Sequence, residues 1–435
     1  MRNHWFLVLG LVIGCGSVQD NEVDADPGSV DAAPGDVDAA LPACVANTTT
    51  CEAGELLACD AAGVPTTTAC GFGCFDATRC ADLDPANGMA SFLDQAEAAA
   101  PLVLTGNAVI DTSLLTVTDG NGAQIAVVSE IAGGPVEQFV VVAQSITAGN
   151  VRVVGSRALV LIAHGDVSIG GVLNASADFQ QPGPGAINGA QACAGGRGTN
   201  VGESYSGGGG GGFGTVGGAG GGAGATPGGP AGQTAGNPTL SPLRGGCAGG
   251  LWSGNAPIDA DGTSPGAGGG AIQISTRGRV ILAPGAFIAA NGGGAKGYTG
   301  LGDIFCFVGG LCGAGCGGGS GGAVLIEAAA LVMPGDAGIV VNGGSGHIGV
   351  NGRATNGLLS ELPAPGTSGP PTGGSGAAAD LAPGGGGSVG AGWGNAAGGG
   401  GGAGRIRINV PTGATFDPVA PVISPLPSVG ATATR

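Results

Sequence analysis

From residue 102 to 175 the chain alternates short runs of Val, Ile and Leu with Gly, Asn and Asp. The runs are 108–111 (AVID), 115–117 (LTV), 125–128 (IAVV), 139–142 (FVVV), 151–154 (VRVV) and 159–162 (LVLI). Brief β-branched runs bounded by turn residues at regular spacing predict strands, so this region reads as all-β. Just upstream the period changes to that of a helix, with Met89, Phe92, Leu93 and Ala96 falling on one face. A short linking helix is predicted within 85–100, with Asn87 as its cap.

One unit of the strand region returns. Residues 158–176 read ALVLIAHGDVSIGGVLNAS, 271–292 read AIQISTRGRVILAPGAFIAANG, 323–343 read AVLIEAAALVMPGDAGIVVNG, and a truncated fourth copy occupies 403–410. Each full copy gives strand, turn, strand, a corner of small residues, and strand; the later two close on Asn291-Gly292 and Asn342-Gly343. That is about one coil of a stack in which inward Val, Ile and Leu form a continuous core. The predicted fold class is therefore all-β: a right-handed parallel β-helix or β-solenoid over 101–410, with a β-sandwich of the same strands as the alternative. Residues 411–435 read as a Pro-rich tail.

Glycine changes this picture. Of 99 glycines, 77 lie between Gly183 and Gly404, concentrated in insertions at 177–270, 293–322 and 344–402 that separate the copies. No Gly-X-Y period runs through them, which excludes collagen. Glycine loses more conformational freedom than any other residue on ordering. Two states are thus open, mobile loops or extended polyglycine-II-like strands packed side by side. The composition is similar to the glycine-rich tips of some phage tail adhesins and to certain antifreeze proteins, which use the second arrangement. It also empties Gly-based motifs of meaning: at one-third Gly, GxGxxG arises by chance at about one position in 27. A phosphate loop fails at Lys296, which lies between Ala295 and Gly297. Residues 318–322 fit GxSxG without the strand-to-helix elbow that would make Ser320 a nucleophile.

The chain opens MRNHWFLVLGLVIGC, with Arg2 ahead of an apolar run too short to span a bilayer. The run ends Val12-Ile13-Gly14-Cys15, which resembles the bacterial lipobox. The resemblance implies a signal peptide at 1–14, lipidation of Cys15 and, with Gly16 rather than Asp following, delivery to the outer membrane or surface of a Gram-negative cell. An ordinary secretory signal is the alternative. Residues 15–43 hold seven acidic residues and no basic ones, so they read as a disordered acidic linker with a reach of roughly 30 Å.

Six cysteines, Cys44, Cys51, Cys59, Cys70, Cys74 and Cys80, crowd the module at 44–84. In an exported chain such a set predicts disulfides in one of fifteen connectivities, against a zinc site that would lack His and paired CxxC knuckles. A hairpin is predicted around Cys59, with its turn at Gly63. The Cys order, this turn and the exit Asp84-Pro85-Ala86-Asn87-Gly88 resemble a Cys-rich module of secreted proteins and lipoproteins of myxobacteria; the resemblance implies no activity. Five further cysteines lie in the insertions: Cys193 with Cys247, and two of Cys306, Cys312 and Cys316, are the predicted bridges. A metal held by that trio with His347 is the alternative.

A net charge of −17 with Lys296 as the single lysine argues against a nucleic-acid partner. An enzyme of the polysaccharide lyase or hydrolase kind needs clustered carboxylates with a nearby cation. Asp111, Asp119, Asp166 and Asp178, with Arg152, Arg157 and His164, instead read as isolated polar residues at turns and outward strand positions. The function expected is a surface-anchored, non-catalytic lipoprotein without cofactor, acting in envelope structure, adhesion or matrix contact. Its partners would be the membrane through Cys15, and extracellular polysaccharide or a neighbouring cell surface. A carbohydrate-active enzyme and an ice- or mineral-binding surface are the alternatives.

Overall fold

The computed structural model describes residues 44–133, 136–187, 191–201, 204–253, 264–296, 314–348, 353–368, 371–379, 384–388, 396–414 and 421–435. The expectations for 1–14, Cys15, the acidic linker, Cys306 and Cys312 lie outside the described residues.

The N-terminal module is a three-stranded antiparallel sheet, β1 (Thr49–Glu52), β2 (Glu55–Cys59) and β3 (Pro65–Ala69), followed by the hairpin β4 (Cys74–Asp76) and β5 (Arg79–Cys80). Disulfides join Cys44 to Cys59, Cys51 to Cys74 and Cys70 to Cys80. Between β2 and β3 the Asp60 carboxylate accepts the N–H groups of Ala62 and Val64, and Gly63 takes the left-handed φ of 76° that the turn requires.

Helix α1 (Ala90–Ala96) buries Phe92, Leu93 and Ala96. Asn87 is not its cap. Met89 holds that position, and Asn87 sits at φ 61° in the preceding turn, where its Nδ2 donates to the Leu240 carbonyl and Gln273 Oε1. The long-range bonds outcompete the local one.

The body follows as β6 (Leu102–Asp111), β7 (Thr116–Thr118), β8 (Val128–Ala132), β9 (Gln138–Ala143), β10 (Ile146–Val154), β11 (Ala158–Ala163), β12 (Val167–Ile169) and β13 (Val172–Asn174). A two-stranded hairpin, β14 (Asn200–Val201) and β15 (Ser204–Tyr205), lies in the first insertion. Then come β16 (Ala271–Thr276), β17 (Arg279–Leu282), β18 (Phe287–Ala289), β19 (Ala323–Glu327), β20 (Ala330–Val332), β21 (Gly338–Val340), β22 (Arg405–Val410), β23 (Val422–Ser424) and β24 (Ser428–Ala431).

These strands make two sheets. The first runs β24-β22-β19-β16-β11-β9-β8, parallel except for β8 at the edge. The second runs β20-β17-β12-β10-β13-β18-β21-β23, all parallel, with β6 parallel to β10 and β7 antiparallel on β6. Every full copy of the repeated unit places its first strand in the first sheet and its later strands in the second, and the truncated fourth adds β22 to the first.

Equivalent residues of the copies stack in register. Leu159, Ile272, Val324 and Ile406 form one row, and Leu173, Ile288, Ile339 and Ile423 face them from the other sheet in the same core. Each such side chain contributes about 1.5–3 kcal/mol by leaving water, and a one-residue slip would turn the whole row outward. The first sheet is covered on its other face too. Val140, Val160 and Leu325 pack there against Leu83, Phe92, Leu93, Phe213, Leu240 and Leu243.

The C-terminal segment corrects the expectation of a tail. β23 and β24 extend both sheets past residue 410, and the last residues return to the N-terminal side: Asp82 and Arg435 exchange backbone hydrogen bonds, and Asp84 N–H donates to the Ala433 carbonyl. Pro421, Pro425 and Pro427 lie outside the strands, where proline costs no ladder bond. The junction is sealed by charge. Arg277 and Arg435 both engage Asp82 and Asp94, and Arg277 Nη1 also lies 3.2 Å from His164 Nδ1. No helix among the described residues is long and apolar enough to cross a membrane.

Candidate functional site

The insertions leave the sheets at one end. Chain running out of β18 and β21 enters 290–296 and 341–348, and chain returning along 264–270, 314–322 and 396–404 enters β16, β19 and β22. Between departure and return the segments lie side by side as one hydrogen-bonded bundle.

Its pattern has a period of three. In segment 207–212, Gly207 and Gly210 donate to Gly221 and Gly218, Gly208 and Gly211 to Gly315 and Gly318, and Gly209 and Gly212 to Gly196 and Cys193. The carbonyls of the same segment accept from Gly229 and Gly232, from Gly399 and Gly402, and from Gly250. Six neighbours therefore surround one segment. Segment 315–322 repeats this, donating to 396–402, to Gly250 and Cys247, and to Gly293 and Ala290. An extended three-fold backbone has no internal hydrogen bonds, so each successive N–H points about 120° from the last and finds a different partner. Of the two states open to the insertions, their described segments have the packed one.

Glycine serves here through what it lacks. None of Gly207–Gly212 has a positive φ, yet a Cβ on Gly208, Gly209 or Gly210 would overlap the carbonyl of Gly250, Pro230 or Gly400. The backbones approach until Cα–H meets C=O.

Other residues pin the array. The Cys193–Cys247 disulfide joins two adjoining segments. Ser320 is fully buried, and its Oγ accepts the Cys247 N–H at 2.8 Å, so it is a packing residue. His347 is equally buried; its N–H donates to the Cys316 carbonyl and its own carbonyl accepts from Gly398. Burial pushes its imidazole down to about 4, which keeps it neutral.

The far end of the bundle lies roughly 20 Å beyond the strand ends, counting about 3.1 Å per residue. Ser264 and Lys296 exchange backbone hydrogen bonds there, and Lys296 bridges on to Arg353, so all three insertions meet. Leu251 and Trp252 pack on Ala295, Cys316 and Ala354, and Tyr205 meets Trp252 edge-on at 5.6 Å. Exposed Arg353 covers the Phe179 ring at 4.7 Å, and exposed Arg197 donates to the Trp252 carbonyl. Half-buried aromatic rings beside guanidinium groups suit a ligand with apolar faces and acceptor oxygens.

The acidic residues weighed as catalytic are spread over separate turns. Asp111 accepts the N–H groups of Ser113 and Leu114, and Asp119 those of Asn121 and Ala123. Asp166 is not isolated. The Arg279 guanidinium and N–H bind it, and the Arg279 side-chain hydrogen bond holds its carboxyl below the ordinary value. Arg157 pairs with Glu137 and His164 meets Arg277, while Asp178 lies 3.9 Å from Arg152. Among the described residues the one grouping of three metal-ligand atoms is Cys51, Cys70 and Cys74, all of them disulfide sulfurs.

Sequence reasoning missed a buried carboxylate. Glu327, on β19, accepts from Ala86 N–H, Gln273 Nε2, Ser275 Oγ and Asn409 Nδ2 beneath the linking turn. Burial raises its carboxyl above the ordinary value against the pull of these donors. The signal was present: Ser275, Glu327 and Asn409 occupy one register column across three copies, a polar position repeated from strand to strand.

No protein-family model matches the chain, and no curated protein or solved structure matches it.

Proposed function

We propose that the chain is a surface-anchored, non-catalytic lipoprotein whose β-solenoid body serves adhesion, matrix contact or envelope structure. The parallel register of the repeated units supports successive coils over a β-sandwich, whose sheets are antiparallel. The observation that carries the function is the bundle. Insertions from three successive repeats join one array and bring Trp252, Lys296 and Arg353 to its far end. A rigid projection of this kind suits contact at a distance from the membrane, to which the Cys15 lipid would tie the chain.

The test is binding of the purified protein to intact cells and to envelope polysaccharide, with protease shaving of whole cells to establish exposure. Retention by either surface and cleavage on intact cells are expected; protection from protease together with no retention would remove the reading. The carbohydrate-active enzyme draws little support, since Asp166 is committed to Arg279 and, among the described residues, no second carboxylate is paired with it. Ice binding draws less, because most of the described glycines in the bundle are covered by neighbouring segments.

A further inference from the structure

The outward face of the second sheet carries a crease that none of the above uses. It follows the line where β6 bends at Gly106 (φ 69°), where a register shift interrupts β10 between Ala148 and Asn150, and where Gly170 and Gly171 separate β12 from β13. Two open cavities of about 380 and 280 Å³ lie along it. The larger is lined by Thr105, Thr147, Ser168 and Ile281, and the smaller by Asn107, Asn150, Arg152, Val172 and Asn174.

The polar half is a small lattice. Asn107 is opposite Asn150, and Arg152, two residues along β10, is opposite Asn174. β6 and β13 flank β10 on opposite edges, so at strand spacing and strand rise these four side chains spread over a patch of about 10 by 7 Å. Two of the amides are oriented by the backbone. Asn150 Oδ1 accepts the Val172 N–H at 3.0 Å, and Asn174 Oδ1 accepts the Ser176 N–H at 2.9 Å, which leaves both Nδ2 groups as donors. Arg152 also only donates, and a carboxylate neighbour, Asp178, is 3.9 Å away with both side chains half exposed. A pair of that kind is weak and exchangeable. Among the described residues no carboxylate lines either cavity, in a chain of net charge −17.

A donor-rich strip, with one arginine held only by a weak, exchangeable pair, beside a row of hydroxyl and apolar side chains is complementary to an acceptor-rich anionic chain with apolar ring faces. We propose that the crease binds a carboxylate-bearing polysaccharide, with Arg152 and the Nδ2 groups of Asn150 and Asn174 holding a uronate carboxylate. This rests on the adhesive or matrix-contact reading and names its ligand class. The test uses the full chain with polygalacturonate and with neutral dextran. Asn150→Asp keeps the oxygen that accepts from Val172 and replaces the donor with a charged acceptor; Arg152→Gln removes the cation. Wild type is expected to bind polygalacturonate in a salt-dependent way and to ignore dextran, and each variant to lose about tenfold or more in affinity with its melting temperature unchanged. Equal binding of dextran, no binding of polygalacturonate, or unaltered binding by both variants overturns the proposal. Cell binding that survives both substitutions while polygalacturonate binding is lost supports the crease as a separate site. Polygalacturonate binding without any cell retention supports the crease and overturns the adhesive reading alone.

Discussion

His347 is the residue on which the bundle's acid sensitivity turns. Its imidazole titrates at about 4 in the folded chain and near 6.5 when unfolded. Between these values the unfolded chain binds the extra proton, so the stability His347 contributes is complete above pH 6.5 and is lost as pH falls toward 4. The difference corresponds to about 3 kcal/mol at most. Urea denaturation at pH 7.5 and 4.5 is expected to show wild type losing more stability than His347→Gln over that interval; parallel curves would mean that the imidazole is solvated. Asp94 and Asp166, held low chiefly by hydrogen bonds from Arg435 and Arg279, lose their contribution only below the ordinary carboxylate value, outside this window. In the sequence His347 stood out only as a possible metal ligand. A lone His in a glycine-rich segment carries no mark of burial, because its burial is created by segments distant in the chain.

At the scale of single elements, the glycine segments obey a steric rule that substitution can check. A methyl group on Gly210 would overlap the Gly400 carbonyl, whereas Gly133 has nothing within 4 Å of its Cβ position. Gly210→Ala is expected to destabilise by about 1–3 kcal/mol, the usual cost of overpacking. Gly133→Ala is expected to be neutral or to stabilise by about 0.4–1 kcal/mol, through the unfolded chain. Chemical denaturation reads both, and a neutral Gly210→Ala would mean that the segments are not packed backbone to backbone. The strands were legible beforehand because apolar rows such as Leu159, Ile272, Val324 and Ile406 must repeat to stack. The glycine packing was not, for a physical reason: with six neighbours every position is interior, so the three-residue period of the hydrogen bonds leaves no period in the sequence. β23 and β24 escaped notice because three- and four-residue strands beside prolines resemble a tail. Glu327 was readable only from the column it shares with Ser275 and Asn409.

Across the whole molecule, two kinds of order are joined end to end: sheets held by apolar rows, and a bundle held almost wholly by backbone hydrogen bonds. Each bond contributes only about 0.5–1.5 kcal/mol net, and each glycine loses more backbone freedom than another residue would. The bundle is therefore stable only as an array, in which removing one segment strips partners from up to six others. Amides in 207–212, 315–322 and 397–404 should open cooperatively and exchange hydrogen as slowly as those of β16 and β19, while the exposed turn at 113–115 exchanges quickly. Peptide-level hydrogen exchange measures this directly. Breaking the Cys193–Cys247 disulfide, which closes a loop of 54 residues through the array, is expected to speed exchange in 207–212 and in 245–250 together. Fast exchange throughout the insertions, with the sheets still protected, would mean that the segments move independently of one another. A projection that cannot hold Trp252, Lys296 and Arg353 in fixed relation offers no defined contact surface, so the adhesive function and the order of the bundle stand on the same measurement.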